Sequence, residues 1–183
     1  IADIAEQYGA WLHVDGAFGL FARVSPRTAE LAAGVERAHS VISDGHKWLN
    51  VPFDCGFAFV RDPELLTRTF AAGAAYLPEA KEDRPIFAFR APELSRRARS
   101  LAVWATLAAY GRSGYRAIVE RSLDNAARLA SQVEESDDFE LLAPVPLNVV
   151  CFRYRPTGVA DTELDDLNER IADAVLTDGR IYV

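Results

Sequence analysis

The sequence of 183 residues contains no methionine, only two cysteines and no long apolar run. Cys55 and Cys151 are too few and too widely separated to form a disulfide framework or a set of metal ligands. No stretch reaches the roughly 18 consecutive apolar residues that a membrane-spanning helix needs, and no signal peptide precedes the first element. These absences predict a protein without a membrane partner, located in the reducing cytoplasm.

Positive charge is also scarce, since 20 lysines and arginines face 27 aspartates and glutamates, for a net charge of −7. Nucleic-acid binding depends on neutralising phosphates with basic side chains, so this balance disfavours a nucleic-acid partner. The clustered arginines Arg96, Arg97 and Arg99 are too few to follow a polyanion, and a structural role suits them better. Half of the residues are hydrophobic and 26% are charged, which is typical of a globular domain.

The two ends of the sequence do not resemble natural termini, which are usually polar and frayed. The chain starts inside a helical pattern at Ile1 and ends in the apolar segment 180–183. We therefore expect an internal piece of a longer protein.

The hydrophobic pattern predicts an α/β arrangement followed by an α+β segment. A helix, a short glycine link and a buried strand at the start are typical of a βαβ unit, which indicates a mostly parallel sheet. Gly111 and Gly114 interrupt a strong helical pattern, and we place a domain boundary there, giving domains 1–112 and 113–183. The predicted strands are 10–15, 40–44, 56–61, 138–143 and 147–154, and the predicted helices are 1–8, 27–33, 63–70, 94–110, 115–135 and 162–177.

Residues 71 to about 92 show no periodicity and contain Pro78, a run of charges and Pro85. Connections longer than about 12–15 residues are usually functional or disordered. The pattern therefore predicts a functional loop.

Reactive side chains follow two of the predicted strands. Asp15 ends the first strand, and the second strand leads into the segment Asp44-Gly45-His46-Lys47. Ligands of open α/β sheets bind beyond the carboxyl ends of parallel strands, and neighbouring strands lie about 4.8 Å apart. If these strands are neighbours, a carboxylate and an amine share one crevice.

An amine and a carboxylate in one crevice suit pyridoxal phosphate chemistry, in which the amine bonds to the aldehyde and the carboxylate keeps the pyridine nitrogen protonated. Alone, Asp15 would be interpreted as a turn residue and Lys47 as a solvated side chain; together, beside His46 and flanking glycines, they favour function. His13 lies on the Asp15 face of its strand, either as a core histidine or as a residue that orients Asp15. A metal site from His13, Asp15 and His46 is the weakest alternative, because no ligand pair has short metal-site spacing.

Five segments in the same order carry a resemblance to a known family. They are WLHVDGAFG (11–19), DGHKWLNVPFDCG (44–56), AYLP (75–78), SRRARSLAVW (95–104) and LNVVCFRY (147–154). The sequence resembles the group II pyridoxal-phosphate-dependent amino acid decarboxylases, which include aromatic amino acid, glutamate and diaminobutyrate decarboxylases. The resemblance implies a fold type I PLP-dependent transferase fold. Residues 1–112 would be the second half of the cofactor-binding large domain, and 113–183 the first part of the C-terminal small domain.

The resemblance also implies a function and a set of site residues. The function is decarboxylation of an L-amino acid to the amine and CO2, in a homodimer whose active sites lie at the interface. Lys47 would be the Schiff-base lysine, His46 would contact the cofactor phosphate or ring, and Asp15 would pair with the pyridine nitrogen. Ala17 would pack under the ring, and Tyr76, on the loop, would return a proton to the α-carbon.

The sequence departs from the family pattern at three positions. Members commonly carry the segment His-Val-Asp-Ala-Ala-Tyr, in which an alanine and a tyrosine occupy the positions of Gly16 and Phe18. Asp44 stands where several animal members carry asparagine. An anionic Asp44 is a poor phosphate ligand, so it is a weak candidate for that role. An aminotransferase or another fold type I lyase remains an alternative, as does a fragment that is inactive in isolation. The sequence does not select the substrate amino acid.

Overall fold

A computed structural model describes residues 1–71, 73 and 86–181 of the chain. The predicted proton donor Tyr76 lies outside the described residues. Short 3-10 turns connect several of the elements. In chain order the helices and strands are α1 (Ala2–Gln7), β1 (His13–Asp15), β2 (Ser40–Asp44), β3 (Gly56–Val60), α2 (Pro63–Phe70), α3 (Arg99–Glu134), β4 (Phe139–Leu141), β5 (Phe152–Tyr154) and α4 (Leu164–Asp178).

The chain divides into two compact units, Ile1–Val119 and Glu120–Val183. The boundary predicted between residues 112 and 113 separates the two domains of the family, which need not coincide with the two compact units. It stays a prediction. No helix among the described residues is both long and apolar enough to cross a bilayer.

The first unit contains a three-stranded sheet in the order β1-β2-β3. β1 and β2 run parallel, with Asp15 opposite Ile42, which confirms the predicted parallel pairing. β3 runs antiparallel to β2, with Gly56 opposite Asp44, so the sheet is mixed in the described residues. The connection 45–55 is a short turn without a crossover helix, and such a connection brings the next strand back antiparallel.

β1 is shorter than the predicted strand 10–15 because a side chain takes part in the pairing at its start. The Leu12 N–H donates to His39 Nδ1 at 2.9 Å, and the Leu12 carbonyl accepts from the His39 N–H at 2.8 Å. The imidazole thus replaces a ladder partner, and regular pairing begins only at His13.

The core of the first unit lies against the turn 45–55. Leu49, Val51, Cys55 and Tyr115 are buried there in one cluster. Burial of a large aliphatic or aromatic side chain contributes about 1.5–3 kcal/mol, so this packing anchors the turn firmly. Partly buried side chains surround the cluster: Phe21, Val24, Phe57, Ala102, Val103 and Ile118.

The start of α2 and the break in α3 have identifiable causes in the sequence. α2 follows the predicted bounds: Asp62 Oδ1 accepts from the Glu64 N–H at 3.0 Å, and Pro63 fills the first helical position. α3 is interrupted at Gly111, whose φ of 57° glycine adopts without a steric penalty. This interruption confirms the predicted break at Gly111. Gly114 lies within the helix, and α3 starts at Arg99 rather than at 94.

Arginine side chains attach the segment before α3 to neighbouring parts of the chain. The Arg96 guanidinium donates to the Phe87 carbonyl at 3.1 Å. Arg99 donates to Asp54 Oδ2 through Nε at 3.1 Å and Nη2 at 2.9 Å, and Arg97 lies 4.0 Å from the same carboxylate. These contacts give the arginine cluster a structural role, as the sequence suggested.

The second unit pairs β4 with β5 in antiparallel fashion and packs α4 beside them. Asn168 of α4 accepts from the Tyr154 N–H and donates to the Tyr154 carbonyl, both at 2.8 Å. One side chain therefore satisfies both backbone groups of a strand residue, which docks the helix on the strand pair. This arrangement of two strands and a helix is the predicted α+β segment.

Substitution Asp54→Asn tests the contribution of the Arg99 pair to stability. The Arg99 hydrogen bond holds the pKa of the Asp54 carboxyl below its usual value of about 3.9. A lowered pKa stabilises the folded state above that value, and the benefit disappears as the pH falls through the folded-state pKa. Both side chains are part exposed, so we expect Asp54→Asn to lower the melting temperature at pH 7 by only about 1–3 °C.

Thermal melts of wild type and Asp54→Asn at pH 7 and pH 3 measure this difference. We expect the gap between the two proteins to narrow at pH 3, because the stabilising contribution falls below the usual carboxyl pKa and is lost only below the lowered pKa of the folded protein. A gap that stays constant across this range would show that Asp54 stabilises the turn by a mechanism other than its charge.

Candidate active site

The carboxyl ends of β1 and β2 meet at one edge of the sheet. Backbone and side-chain hydrogen bonds connect them. The Gly16 N–H donates to the Ile42 carbonyl at 2.8 Å. The Ser43 hydroxyl donates to the Gly16 carbonyl at 3.1 Å, and Ser43 is only 2% exposed. Sequence analysis did not identify Ser43, because a lone serine in a strand carries no pattern that indicates such a bond.

Two glycines beside the candidate residues are required by close packing. A Cβ on Gly16 would lie 2.9 Å from the Ile42 carbonyl oxygen, and a Cβ on Gly45 would lie 2.6 Å from Cys55 Sγ. Both distances are shorter than real Cβ contacts allow. Glycine replaces the alanine of the family pattern at position 16 because the Ile42 carbonyl oxygen of β2 leaves no room for a Cβ in this chain.

Asp15 is exposed at the end of β1, and its carboxylate is oriented by a local turn. Its Oδ1 accepts from the Ala17 N–H at 3.1 Å, as in an Asx turn. No other hydrogen bond to the Asp15 side chain occurs in the part of the chain that the structure describes. The carboxylate is therefore held in place yet open to a further donor. The predicted packing of Ala17 under the cofactor ring stays a prediction.

Lys47 lies in the turn after β2, and its side chain is 30% exposed. Its Nζ is 2.6 Å from Asp44 Oδ2 and 4.2 Å from the centroid of the Phe18 ring. The Lys47 hydrogen bond holds the pKa of the Asp44 carboxyl below its usual range. Phe18 follows Asp15 by three residues, so its contact with Nζ brings the Asp15 segment and the Lys47 segment to one place.

His46 is fixed by the backbone of the same turn. Its Nδ1 lies 2.7 Å from the Cys55 carbonyl oxygen and 3.1 Å from the Cys55 nitrogen, and its ring packs edge-on against Phe53 at 4.8 Å. Whichever tautomer is present, Nδ1 is occupied by the Cys55 peptide. The nitrogen left for a ligand is Nε2.

Cys55 itself is a packing residue. Its thiol is buried, and the removal from water raises the pKa of this group. Since the thiolate is the reactive form of cysteine, burial of this kind makes Cys55 a poor nucleophile.

His13 does not orient Asp15 and is not a core residue. It is exposed, and its Nδ1 lies 2.7 Å from Ser40 Oγ, which also accepts from Trp11 Nε1 at 2.9 Å. Side chains two apart on a strand share a face, but Ser40 on the neighbouring strand is the closer partner. In residues 1–71, 73 and 86–181, no three histidine, cysteine or carboxylate side chains lie close enough to share a metal ion.

The structure thus brings Asp15, Ala17, His46 and Lys47 to the carboxyl end of the two parallel strands. Tyr76 lies outside the described residues, so its predicted role stays a prediction. Phe53 is a contact that sequence analysis missed, because only its packing against His46 marks it out.

Comparison with known proteins identifies relatives along the whole chain. The chain is 32% identical to an aromatic-L-amino-acid decarboxylase of Bacillus atrophaeus, over 98% of this chain and 38% of that protein. It is 29% identical to a phenylacetaldehyde synthase of Petunia hybrida, over 100% of this chain and 38% of that protein. The chain therefore spans about two-fifths of the length of these relatives.

A solved structure has a similar fold. The crystal structure of Oryza sativa TDC with PLP and tryptamine superimposes with a TM-score of 0.91 at 28% identity, over 100% of this chain and 39% of that chain. This likeness confirms the predicted fold type I arrangement. That structure contains PLP, the cofactor predicted from the sequence.

The sequence profile described as the pyridoxal-dependent decarboxylase conserved domain matches residues 1–155, which is most of the chain. This match includes the segments of both Asp15 and Lys47. The chain belongs to the pyridoxal-dependent decarboxylase family.

Proposed function

We propose that this chain carries the cofactor-anchoring lysine of an enzyme that decarboxylates an L-amino acid to its amine and CO2. One observation carries the proposal: the Lys47 amine lies against Phe18, three residues beyond Asp15, at the carboxyl end of two parallel strands. Membership of the pyridoxal-dependent decarboxylase family supports it, as do relatives named for decarboxylation.

The side chains at this edge fit pyridoxal phosphate. The cofactor has an aldehyde that bonds to amines, a pyridine nitrogen that is basic, and a phosphate. Lys47 offers a primary amine, Asp15 a carboxylate with one oxygen bound only to a local N–H, and His46 an imidazole with Nε2 available. When bound, the cofactor supplies a ring that accepts the electron pair released as CO2 leaves the α-carbon.

Each residue of this chain then has a separate task. Lys47 would hold the cofactor through a bond from Nζ to the aldehyde carbon, formed with loss of water, and the amine of the substrate would displace it. Asp15 holds a proton at the pyridine nitrogen, and its fixed turn with Ala17 keeps it oriented for that task. His46 contacts the phosphate or ring from a position set by the Cys55 peptide.

We propose an aromatic L-amino acid as the substrate class to test first. The support comes from relatives named for aromatic, tryptophan and tyrosine decarboxylation. The test is a screen of the full-length protein with tyrosine, tryptophan, phenylalanine, glutamate and diaminobutyrate, scored by CO2 release and amine formation. Amino-group transfer to a keto acid without CO2 release would favour an aminotransferase instead.

A second candidate function is formation of an aldehyde from an aromatic amino acid, with release of CO2 and ammonia and with dioxygen as the oxidant. The observation that favours it is the similarity to the Petunia hybrida phenylacetaldehyde synthase. The two functions differ in product, amine or aldehyde. The loop tyrosine Tyr76 is the residue of this chain that we expect to separate them.

Substitution Tyr76→Phe removes one hydroxyl and leaves the ring. If Tyr76 returns the proton to the α-carbon, amine formation is expected to fall about a hundredfold, because a positioned general acid contributes about 10²–10⁴-fold. Cofactor binding should survive, and the remaining turnover should shift towards oxidised products. Chromatography of amine and aldehyde measures both effects, and an unchanged rate and product ratio would remove Tyr76 from the reaction.

We also propose that the whole protein is a cytoplasmic homodimer. Exposed apolar side chains along α3, namely Leu101, Trp104, Leu107 and Tyr110, support a further surface packed over this helix. Both cysteines are free thiols, as suits a reducing compartment. Analytical ultracentrifugation of the full-length protein tests the dimer, and cell fractionation tests the location.

A further inference from the structure

We propose that Asp44 is a positioning residue that holds the Lys47 ammonium whenever this amine is not bonded to the cofactor, and that the Phe18 ring completes the grip. The inference rests on the proposed function, in which Lys47 is the anchoring lysine. It gives a role to a carboxylate that the resemblance leaves without one, since an anion is poorly suited to bind a phosphate.

The contact between the two side chains is close and local. Asp44 Oδ2 and Lys47 Nζ are 2.6 Å apart, and the side chains are 26% and 30% exposed. Asp44 is the last residue of β2 and Lys47 lies three residues later, so the rigid start of the turn places the carboxylate. The Lys47 hydrogen bond lowers the pKa of Asp44, which keeps this partner anionic.

The neighbouring strand β3 lies on the other side of the Asp44 carboxylate. Gly56 faces Asp44 in the β2–β3 register, and a Cβ there would come within 3.7 Å of Asp44 Oδ1. That distance is an ordinary van der Waals contact, so β3 lies directly beside the Asp44 carboxylate. The other carboxylate oxygen, Oδ2, faces Lys47.

Phe18 contributes the second side of the grip. Its ring centroid lies 4.2 Å from Lys47 Nζ, within the range in which an ammonium is attracted to an aromatic face. Asp44 and Phe18 come from the two different strand ends, so together they fix Nζ at the crevice between them. Phenylalanine at this position, where members commonly carry tyrosine, keeps the ring face that the contact needs.

The grip matters at the stages when Lys47 is unattached. These are the interval before the cofactor binds and the interval after the substrate amine has replaced Lys47. A lysine side chain has four rotatable bonds, and without a partner it samples many rotamers. A partner at 2.6 Å keeps Nζ near the place to which it must return.

Amine reactivity in the cofactor-free protein tests the grip directly. Acetic anhydride labels lysine amines, and peptide mass spectrometry gives the labelling rate of Lys47 relative to Lys81, the other lysine of this chain. Labelling of Lys47 requires release from Asp44, so Asp44→Asn is expected to raise the relative rate about two- to fivefold, as for a part-exposed ion pair. Phe18→Leu should raise it less, and Phe18→Tyr should leave it unchanged.

Controls separate the grip from a general change in charge or folding. Glu36→Gln removes a carboxylate that pairs with Arg23 on the surface, and it should leave Lys47 labelling as in wild type. Asp44→Glu keeps a carboxylate near Nζ and should restore part of the protection. Lys47 labelling in Asp44→Asn that is equal to or slower than wild type would overturn the proposal.

Turnover of the full-length holoenzyme gives a second measurement. Asp44→Asn is expected to lower kcat about two- to fivefold with KM within twofold, because return of Lys47 slows while substrate binding does not change. An increase in KM at constant kcat would contradict this positioning role. Borohydride treatment of wild type tests the proposed function separately. Absence of a cofactor adduct on Lys47 would refute its role as the anchoring lysine, whereas the labelling result would stand unchanged.

Discussion

Substitution Lys47→Arg in the full-length protein is expected to abolish the yellow colour of the bound cofactor and to reduce decarboxylation on the order of 10⁴-fold or more. A guanidinium remains protonated in proteins and cannot supply the neutral amine that bonds to an aldehyde. Removing a covalent nucleophile costs much more than removing a single binding contact. The loss should fall mainly on kcat.

Arginine is the informative replacement because it preserves the surroundings of Lys47. A cation at this position can still pair with Asp44 and lie over the Phe18 ring, the two contacts that Lys47 makes in the structure. The fold and the local charge should therefore remain, and only the amine chemistry disappears. Lys47→Ala removes these contacts as well and serves as the harsher comparison.

The measurement combines absorbance, borohydride trapping and CO2 release. Borohydride should fix the cofactor on the peptide that contains Lys47 in wild type and on no peptide in Lys47→Arg. Lys81→Arg, at the other lysine of the chain, should retain the adduct on Lys47. Decarboxylation by Lys47→Arg at the wild-type rate would show that Lys47 is not the anchor.

The sequence predicted the parts of the fold in which local pattern and tertiary contacts agree. β2 has the predicted bounds, and α2 has the predicted bounds and cap, because periodicity and the Asp62-Pro63 start coincide there. The parallel direction of the sheet followed from the helix, glycine and strand order, whereas the direct pairing of β1 with β2 is seen in the structure. This pairing is what brings the segments of Asp15 and Lys47 together.

The remaining features depend on contacts that no local pattern encodes. The His39 imidazole shortens β1, and the buried Ser43 hydroxyl ties β2 to Gly16. The sequence alone points to Asp44 only as a weak phosphate ligand, although its spacing of three residues from Lys47 in a turn is compatible with an ion pair. Side-chain pairs of this kind become visible only when the turn geometry is known.

Substitution Asp15→Asn is expected to reduce decarboxylation about 10³-fold while the protein stays folded and still binds the cofactor on Lys47. The carboxylate is proposed to hold a proton at the pyridine nitrogen, and a neutral amide does not stabilise that positive charge. Loss of one preorganised electrostatic group in an active site costs about 10²–10³-fold in kcat, and the charge difference places this case at the upper end.

Asparagine is chosen because it keeps the one bond that Asp15 makes in the described structure. The Ala17 N–H donates to Oδ1 at 3.1 Å, and an amide oxygen can accept the same bond, so the turn at the end of β1 should persist. Retention of the borohydride adduct on Lys47 together with loss of CO2 release would assign the defect to the electron sink. Wild-type turnover by Asp15→Asn would mean that the carboxylate does not face the pyridine nitrogen, and the shared crevice of Asp15 and Lys47 would then need a different explanation.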